Sequence, residues 1–296
     1  MFAIAVIVAG IIFIDSNSFH KNITQQKKNY ERIISLSPST TETLFALGLG
    51  NKVVGRTRFC NYPPEVKNIA EVGGYVDPNY EAMIALDPDL IILLPEQEEI
   101  KQKLKDIKLN FLTVNNKTIS DIKNTIKIIG NNCNAQTASQ KLLSDIDKSI
   151  KNIKEKTKFL AKPKVIISIG RTFGNGTIKE VYVAGKNTFY DELITFAGGT
   201  NAIANNVNPY PMLSAEGLIH INPQVIIDFV TDKNITKKNI MKDWQSISSV
   251  DAIKNNRVVI FSNDYIVIPG PRFILLLKDL AKTIHPEVNW GNIEKK

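Results

Sequence analysis

The sequence predicts an α/β protein of two lobes joined by one long helix. Three observations predict it: strand-like and helix-like segments alternate, an amphipathic stretch free of glycine and proline interrupts them at 135–159, and one short unit occurs twice. EAMIALDPDLII at 81–92 returns as EGLIHINPQVII at 216–227, with agreement at Glu81/Glu216, Ile84/Ile219, Pro88/Pro223, Ile91/Ile226 and Ile92/Ile227. A chain of 296 residues also sits at the upper limit of a single hydrophobic core, so two lobes are expected on size as well.

The first element is FAIAVIVAGIIFI, an unbroken apolar or small run from Phe2 onward that gives way to polar DSNSFHKN. It is short for a membrane span of roughly 20 residues and suits the h-region of a secretory signal, or a retained anchor. Residues 1–30 are therefore expected to be a signal or N-terminal anchor and leader, placing the protein in a periplasmic or other extracytoplasmic compartment. A buried N-terminal strand or helix is the alternative. The only cysteines, Cys60 and Cys133, lie far from the run, so no cysteine-linked lipid anchor is expected there. Two isolated buried thiols are preferred to a Cys60–Cys133 bond.

The N-terminal lobe is expected over 31–134. RIISLSP at 32–38 reads as a buried strand because its apolar, β-branched run stops at Ser-Pro. TETLFALGLG at 41–50 reads as a helix started near Ser39/Thr40 and stopped by glycine. KVVG at 52–55 is the next strand. YEAMIALDPDLIILL then gives a helix broken at Pro88 and a strand from Leu90 to Leu94, since proline cannot continue the helical ladder. EEIKQKLKDI reads as a helix, LNFLTV as a strand and ISDIKNTIKIIG as a helix ended by Gly130.

The interlobe helix follows over 135–159, with Leu142, Leu143, Ile146, Ile150 and Ile153 at three- and four-residue spacing. Its length of about 36 Å at 1.5 Å per residue is enough to bridge two lobes; an ordinary core helix has the same periodicity. The C-terminal lobe, 160–286, resumes the alternation with strand KVIISIG at 164–170, then EVYVAG, a helix over TFYDELITFAGG and the second copy of the repeated unit. PQVIIDFV and NRVVIFS supply strands, and a helix from Pro271 to Ile284 precedes a tail at 287–296.

Net charge is +8, but the lysines are dispersed and no nucleic-acid-binding motif accompanies them, so no nucleic-acid partner is expected. Catalytic signals are absent too. His20, His220 and His285 stand apart without metal-ligand spacing, and no GxSxG, GxxxxGK[ST] or GxGxxG motif occurs. His220, among apolar neighbours in an expected helix, reads as a core residue, and GRTFGNG at 170–176 as a surface loop.

Aromatic and arginine residues gather instead in the loops after expected strands, where alternating α/β lobes place ligand contacts. GRTRFCNYPP offers Arg56, Arg58, Phe59 and Tyr62; GGYVDP offers Tyr75; GRTFGNG offers Arg171 and Phe173. NPYPMLS adds Tyr210, and SNDYIVIPGPR adds Asp264, Tyr265 and Arg272. Any one aromatic could equally fill a core. Their recurrence in polar, proline-rich loops points the set to a cleft.

SLSPSTTETLFALGLGNKVVGRTRFCNYPPE, GGYVDPNYEAMIALDPDLII, YPMLSAEGLIHINPQVII and PRFILLLKDLA together cover the span from about 31 to 286. In order and spacing these segments resemble the helical-backbone substrate-binding proteins of ABC importers for metal chelates. The resemblance implies two Rossmann-like lobes with a ligand between them, no catalysis and no cofactor of its own. It implies a monomer that delivers its chelate to an ABC permease and its ATPase.

Among the family's members the cobalamin binders are the nearest likeness. Residue by residue, this implies contacts from Phe59 and Tyr75 in the first lobe and Tyr210, Asp264 and Tyr265 in the second, with Phe173 and Arg272 aligned less closely. Tyr75 replaces a tryptophan of those members, and Ala197 and Ala281 replace a disulfide pair. Arg56, Arg58 and Arg171 would suit an anionic ferric siderophore as well, so cobalamin or another corrinoid stands first and a ferric siderophore or haem second. The resemblance also implies that Glu81 and Glu216 dock on the permease, although a carboxylate at a helix start is favoured by the helix itself. An enzyme built on a four-cysteine cluster is excluded by the cysteine count. An exported structural or adhesive protein is the remaining alternative class.

Overall fold

A computed structural model describes residues 29–203 and 208–291; the N-terminal apolar run and the last five residues lie outside this range. The first five strands are β1 (Ile33–Ser35), β2 (Val53–Arg56), β3 (Ala70–Glu71), β4 (Leu90–Leu93) and β5 (Phe111–Thr113). They form a parallel sheet in the order β3-β2-β1-β4-β5. β1 and β4 lie inside it and are buried along their whole length, as their near-continuous apolar runs require when helices cover both faces. The helices are α1 (Pro38–Ala46), α2 (Tyr80–Ala85), α3 (Glu98–Asp106) and α4 (Ile119–Asn132).

α5 (Gln136–Thr157) follows as a single helix of 22 residues. Ile146 and Ile153 are buried, and Leu142, Leu143 and Ile150 pack against the same core. α5 lies against α4 from the first sheet and against α6 (Phe189–Phe196) and α10 (Phe273–Ile284) from the second. One apolar cluster therefore runs from Ile33 and Leu44 through α5 to Leu193 and Leu277.

The second sheet contains β6 (Lys164–Arg171), β7 (Glu180–Val183), β8 (Thr200–Asn201), β9 (Met212–Ser214), β10 (Val225–Phe229) and β11 (Val258–Phe261). Its order is β11-β10-β6-β7-β9, with β8 also paired to β6. β6, β10 and β11 are parallel, like β1, β4 and β5, whereas β7 pairs antiparallel with both β6 and β9. α7 (Ala215–Ile221), α8 (Lys237–Gln245) and the short α9 (Asp251–Lys254) complete the lobe. The repeated unit is thus α2–β4 in one sheet and α7–β10 in the other.

Several expectations need correction. α1 begins at Pro38, not 41: Ser37 is its cap, accepting from the Thr40 N–H, and proline suits the first turn. Gly130 does not end α4, which runs on to Asn132. β3, β8, β9, α8 and α9 were not expected. His220 is exposed at the end of α7 rather than in the core. Cys60 and Cys133, by contrast, are buried free thiols as expected. Within the expected tail Trp290 is buried, its Nε1 donating to the His285 carbonyl.

Candidate functional site

A cleft of about 380 Å³ opens between the two sheets. From the first come Ser37 and Ser39 after β1, Leu94 and Glu96 after β4, Asn116 and Lys117 after β5, and Tyr75. These lie beyond the carboxyl ends of parallel strands, where an open α/β sheet leaves a crevice. The second sheet contributes Phe189 and Tyr190 at the start of α6, Tyr210, and the segment Val267–Pro269.

Local hydrogen bonds fix this lining. Gln97 accepts from Leu94 N at 2.9 Å and donates to Tyr75 O at 2.7 Å, tying the Tyr75 loop to the end of β4. Asn116 Nδ2 donates to Ser39 Oγ at 2.9 Å, while its buried Oδ1 has no protein partner and is available to a ligand donor. Tyr210 is held because Gly185 N donates to Pro209 O at 2.8 Å. A Cβ on Gly185 would lie 3.1 Å from the Asn208 and Pro209 carbonyl oxygens, closer than most side chains tolerate.

Burial raises the phenol pKa of Tyr75, with nearby Glu96 adding to it, and burial raises those of Tyr190 and Tyr210. All three are neutral aromatic faces at neutral pH. The charged groups of the lining are Glu96 and Lys117, which pair at 3.4 Å, so the cleft carries no net charge.

The two lobes present the cleft tyrosines equivalently. Carried backwards from Glu81/Glu216, the repeat aligns Tyr75 with Tyr210. It also aligns Asn79 with Ser214, each capping its helix by accepting a backbone N–H. Met83 and Leu218 are both fully buried, and Asp87 and Asn222 both adopt left-handed backbone conformation, with φ of 43° and 48°.

The other expected site residues are placed differently. Asp264, Tyr265 and Arg272 line a second depression of about 980 Å³, which shares Val267 and Ile268 with the cleft. Arg272 is already committed: it reaches Glu42 at 2.5 and 2.9 Å and Asp264 at 2.9 and 3.0 Å, and it stacks 3.7 Å from the Tyr62 ring centroid. Tyr265 donates to Asp279 at 2.5 Å. Phe59 is exposed beside Arg58, which pairs with Asp77; Arg56 pairs with Glu71 at 3.4 Å. None of these three lines the cleft.

Arg171 departs furthest from expectation. Its side chain is fully buried between Asp228 and Asp243, at 2.9 and 2.8 Å. Phe173 covers it, 4.4 Å from guanidinium to ring centroid. Trp244 Nε1 donates to Asp228, and the Gly174 and Gly176 N–H groups donate to Asp243. GRTFGNG is therefore a loop stapled to α8, and its arginine belongs to the lobe's interior. Glu81 and Glu216 are exposed in the first turns of α2 and α7. Glu216 is held below the usual carboxylate range by hydrogen bonds from its own backbone N–H and from Ser214.

Asn116, Phe189 and Tyr190 escaped sequence reasoning. The polar turn NNK directly after strand LNFLTV was the available signal for Asn116; Phe189 and Tyr190 read as ordinary core positions of an amphipathic helix. Among the described residues no three His, Cys, Asp or Glu side chains could together hold a metal ion, and no helix is long and apolar enough to cross a membrane.

The chain is similar to known proteins in sequence and in fold. An uncharacterized ABC transporter substrate-binding lipoprotein of Bacillus subtilis is 33% identical over 272 residues, spanning 88% of this chain and 82% of its own. A vitamin B12-binding protein of Vibrio parahaemolyticus is 29% identical over 256 residues, spanning 86% of this chain and 89% of its own. Among solved structures, a possible iron-binding (periplasmic solute-binding) protein from Staphylococcus epidermidis superimposes with a TM-score of 0.75 at 27% identity, covering 87% of this chain and all of the other. The periplasmic binding protein family matches residues 33–265, from β1 to the edge of the cleft segment, and this chain belongs to that family.

Proposed function

We propose that the protein is the substrate-binding component of an ABC importer, that it captures a corrinoid such as cobalamin between its lobes, and that it hands the ligand to a permease. The observation that carries this reading is the tyrosine-lined cleft without net charge. Tyr75 and Tyr210 line it from opposite lobes at matching positions, and Ser39 and Asn116 place polar atoms beside them. Aromatic faces bury large area at small entropic cost, and a few polar groups fix orientation.

Multiply anionic ferric siderophores would be served by cationic side chains, but Arg56, Arg58 and Arg171 are absent from the lining and Lys117 is paired with Glu96. The depression lined by Asp264, Tyr265 and Arg272 adjoins the cleft at Val267 and Ile268 and gives room for the remainder of a ligand too large for the cleft alone; its Lys233, Lys278 and Lys282 are the cations that an anionic chelate would meet there, which is why the trihydroxamate and haemin belong in the test. The metal would travel inside its own chelator. Glu81 and Glu216, one exposed on each lobe, are the residues proposed to dock on the two permease subunits, with an ATPase beneath them. The working location is extracytoplasmic, with the N-terminal segment as signal or anchor.

The test is equilibrium dialysis of the purified protein against cyanocobalamin, haemin and a ferric trihydroxamate. Retention of cyanocobalamin, with its absorbance following the protein, is expected. Retention of haemin or the trihydroxamate in its place reassigns the ligand; retention of none removes the chelate reading.

A further inference from the structure

The repeated unit contains one matched residue that its fold does not use. Ile91, Ile92, Ile226 and Ile227 are fully buried in the two sheets, and Pro88 and Pro223 stand where the helices have ended. Glu81 and Glu216 sit at helix starts, where a carboxylate is favoured. Ile84 and Ile219 have no such reason: they are 52% and 43% exposed, while the neighbouring Met83 and Leu218 do the packing. Single exposed isoleucines are ordinary. Here the same one stands at the same place in both lobes, three residues beyond the same acid and so on the same helix face.

We infer that Ile84 with Glu81, and Ile219 with Glu216, form two equivalent docking faces for the two subunits of the importer's permease. Each isoleucine enters an apolar pocket at whose rim a basic side chain meets the glutamate. The inference rests on the docking role proposed above for the two glutamates and adds to it the part of the affinity that salt does not screen. Symmetry and charge select this occupant. Two copies of one face on a single chain fit a partner with two equivalent subunits, and two exposed acids on a chain of net charge +8 fit basic sites. A second copy of this chain would bring like acids together across a twofold contact, which is unfavourable.

The experiment measures binding of the ligand-loaded protein to its purified permease–ATPase complex in lipid nanodiscs, at roughly 0.05 M and 0.5 M salt. The variants are Ile84→Ser with Ile219→Ser, and Glu81→Gln with Glu216→Gln. Burial of an isoleucine side chain makes each one worth about tenfold or more in affinity. The isoleucine variant should therefore bind about a hundredfold more weakly at both salts, with melting temperature and cyanocobalamin binding unchanged. The glutamate variant should lose affinity chiefly at low salt. Native binding by the isoleucine variant beside weakened binding by the glutamate variant overturns this inference and leaves the docking glutamates standing. Native binding by both overturns the docking reading as well. Self-association of the native chain in sedimentation, abolished by Ile84→Ser with Ile219→Ser, would make the face a self-contact and also overturn it.

Discussion

Tyr75 follows the edge strand β3 and Tyr210 precedes the edge strand β9, and both are tied to the cleft by backbone bonds: Gln97 holds the Tyr75 carbonyl, and Gly185 holds the carbonyl of Pro209 beside Tyr210. Tyr75 is half-buried and Tyr210 exposed, and both line the cleft. Tyr75→Ala and Tyr210→Ala should each weaken cyanocobalamin binding by about 1–3 kcal/mol, the range for truncating a contact aromatic, with the fold intact. Titration of both variants checks this, and unchanged affinity in both would remove the tyrosines from the site. Arg171→Met should behave in the opposite way. It leaves two buried carboxylates without their cation, a loss of about 3–5 kcal/mol in unfolding free energy, whereas ligand binding by the molecules that remain folded is native. The tyrosines were legible from the polar loops that hold them. Arg171 was not, because its partners lie 57 and 72 residues further along the chain and its loop reads locally like every other loop at the mouth.

The strand–helix alternation was legible because β1, β4, β6 and β10 are buried on both faces and so carry unbroken apolar runs that end in proline, serine or charge. The long α5 was legible from its periodicity, its observed ends falling one or two residues inside the expected ones. α8 was missed because only Ile240 and Trp244 of its apolar face are fully buried, while Asp243, also buried, disguises the stripe. Gly130 was misread for a physical reason of the same kind. In the helix it serves contact, not termination: a Cβ there would lie 2.5 Å from Ser139 Cβ on α5, and Ser139 is itself fixed by donating to the Ile126 carbonyl at 3.1 Å. Gly130→Ala gains about 1 kcal/mol of helix propensity and loses about 1–3 kcal/mol to overpacking. A net loss is expected in urea unfolding, partly recovered by adding Ser139→Gly. A Gly130→Ala variant more stable than the native chain would show that α4 and α5 separate without cost.

Across the whole molecule, the shared apolar core along α5 is reinforced by polar bonds that cross between the lobes. Glu192 of α6 accepts the Ile119 N–H at the start of α4, at 2.7 Å, and Glu42 of α1 accepts two of the Arg272 bonds beside α10. Such a frame should permit only modest closure on ligand binding. Donor and acceptor dyes on the two lobes should therefore report one narrow distance distribution that shifts little when ligand is added. The Glu42–Arg272 bridge also makes the frame sensitive to acid. Burial raises the Glu42 carboxyl above its usual range, while hydrogen bonding and charge from Arg272 pull it part of the way back. Folding thus favours the protonated form, so this group's contribution to stability is full below the ordinary carboxylate pKa and is lost as pH rises through the raised value. On acidification from neutral pH, Glu42 takes up its proton before ordinary surface carboxylates do, and the charge-assisted pair becomes a neutral–charged bond in a still folded protein. The distance distribution should widen in that window, and Glu42→Gln should show the wider distribution already at neutral pH, with little further change in acid. A native distribution that is broad at neutral pH, or a Glu42→Gln variant indistinguishable from it at every pH, would show that the apolar core alone sets the lobe geometry.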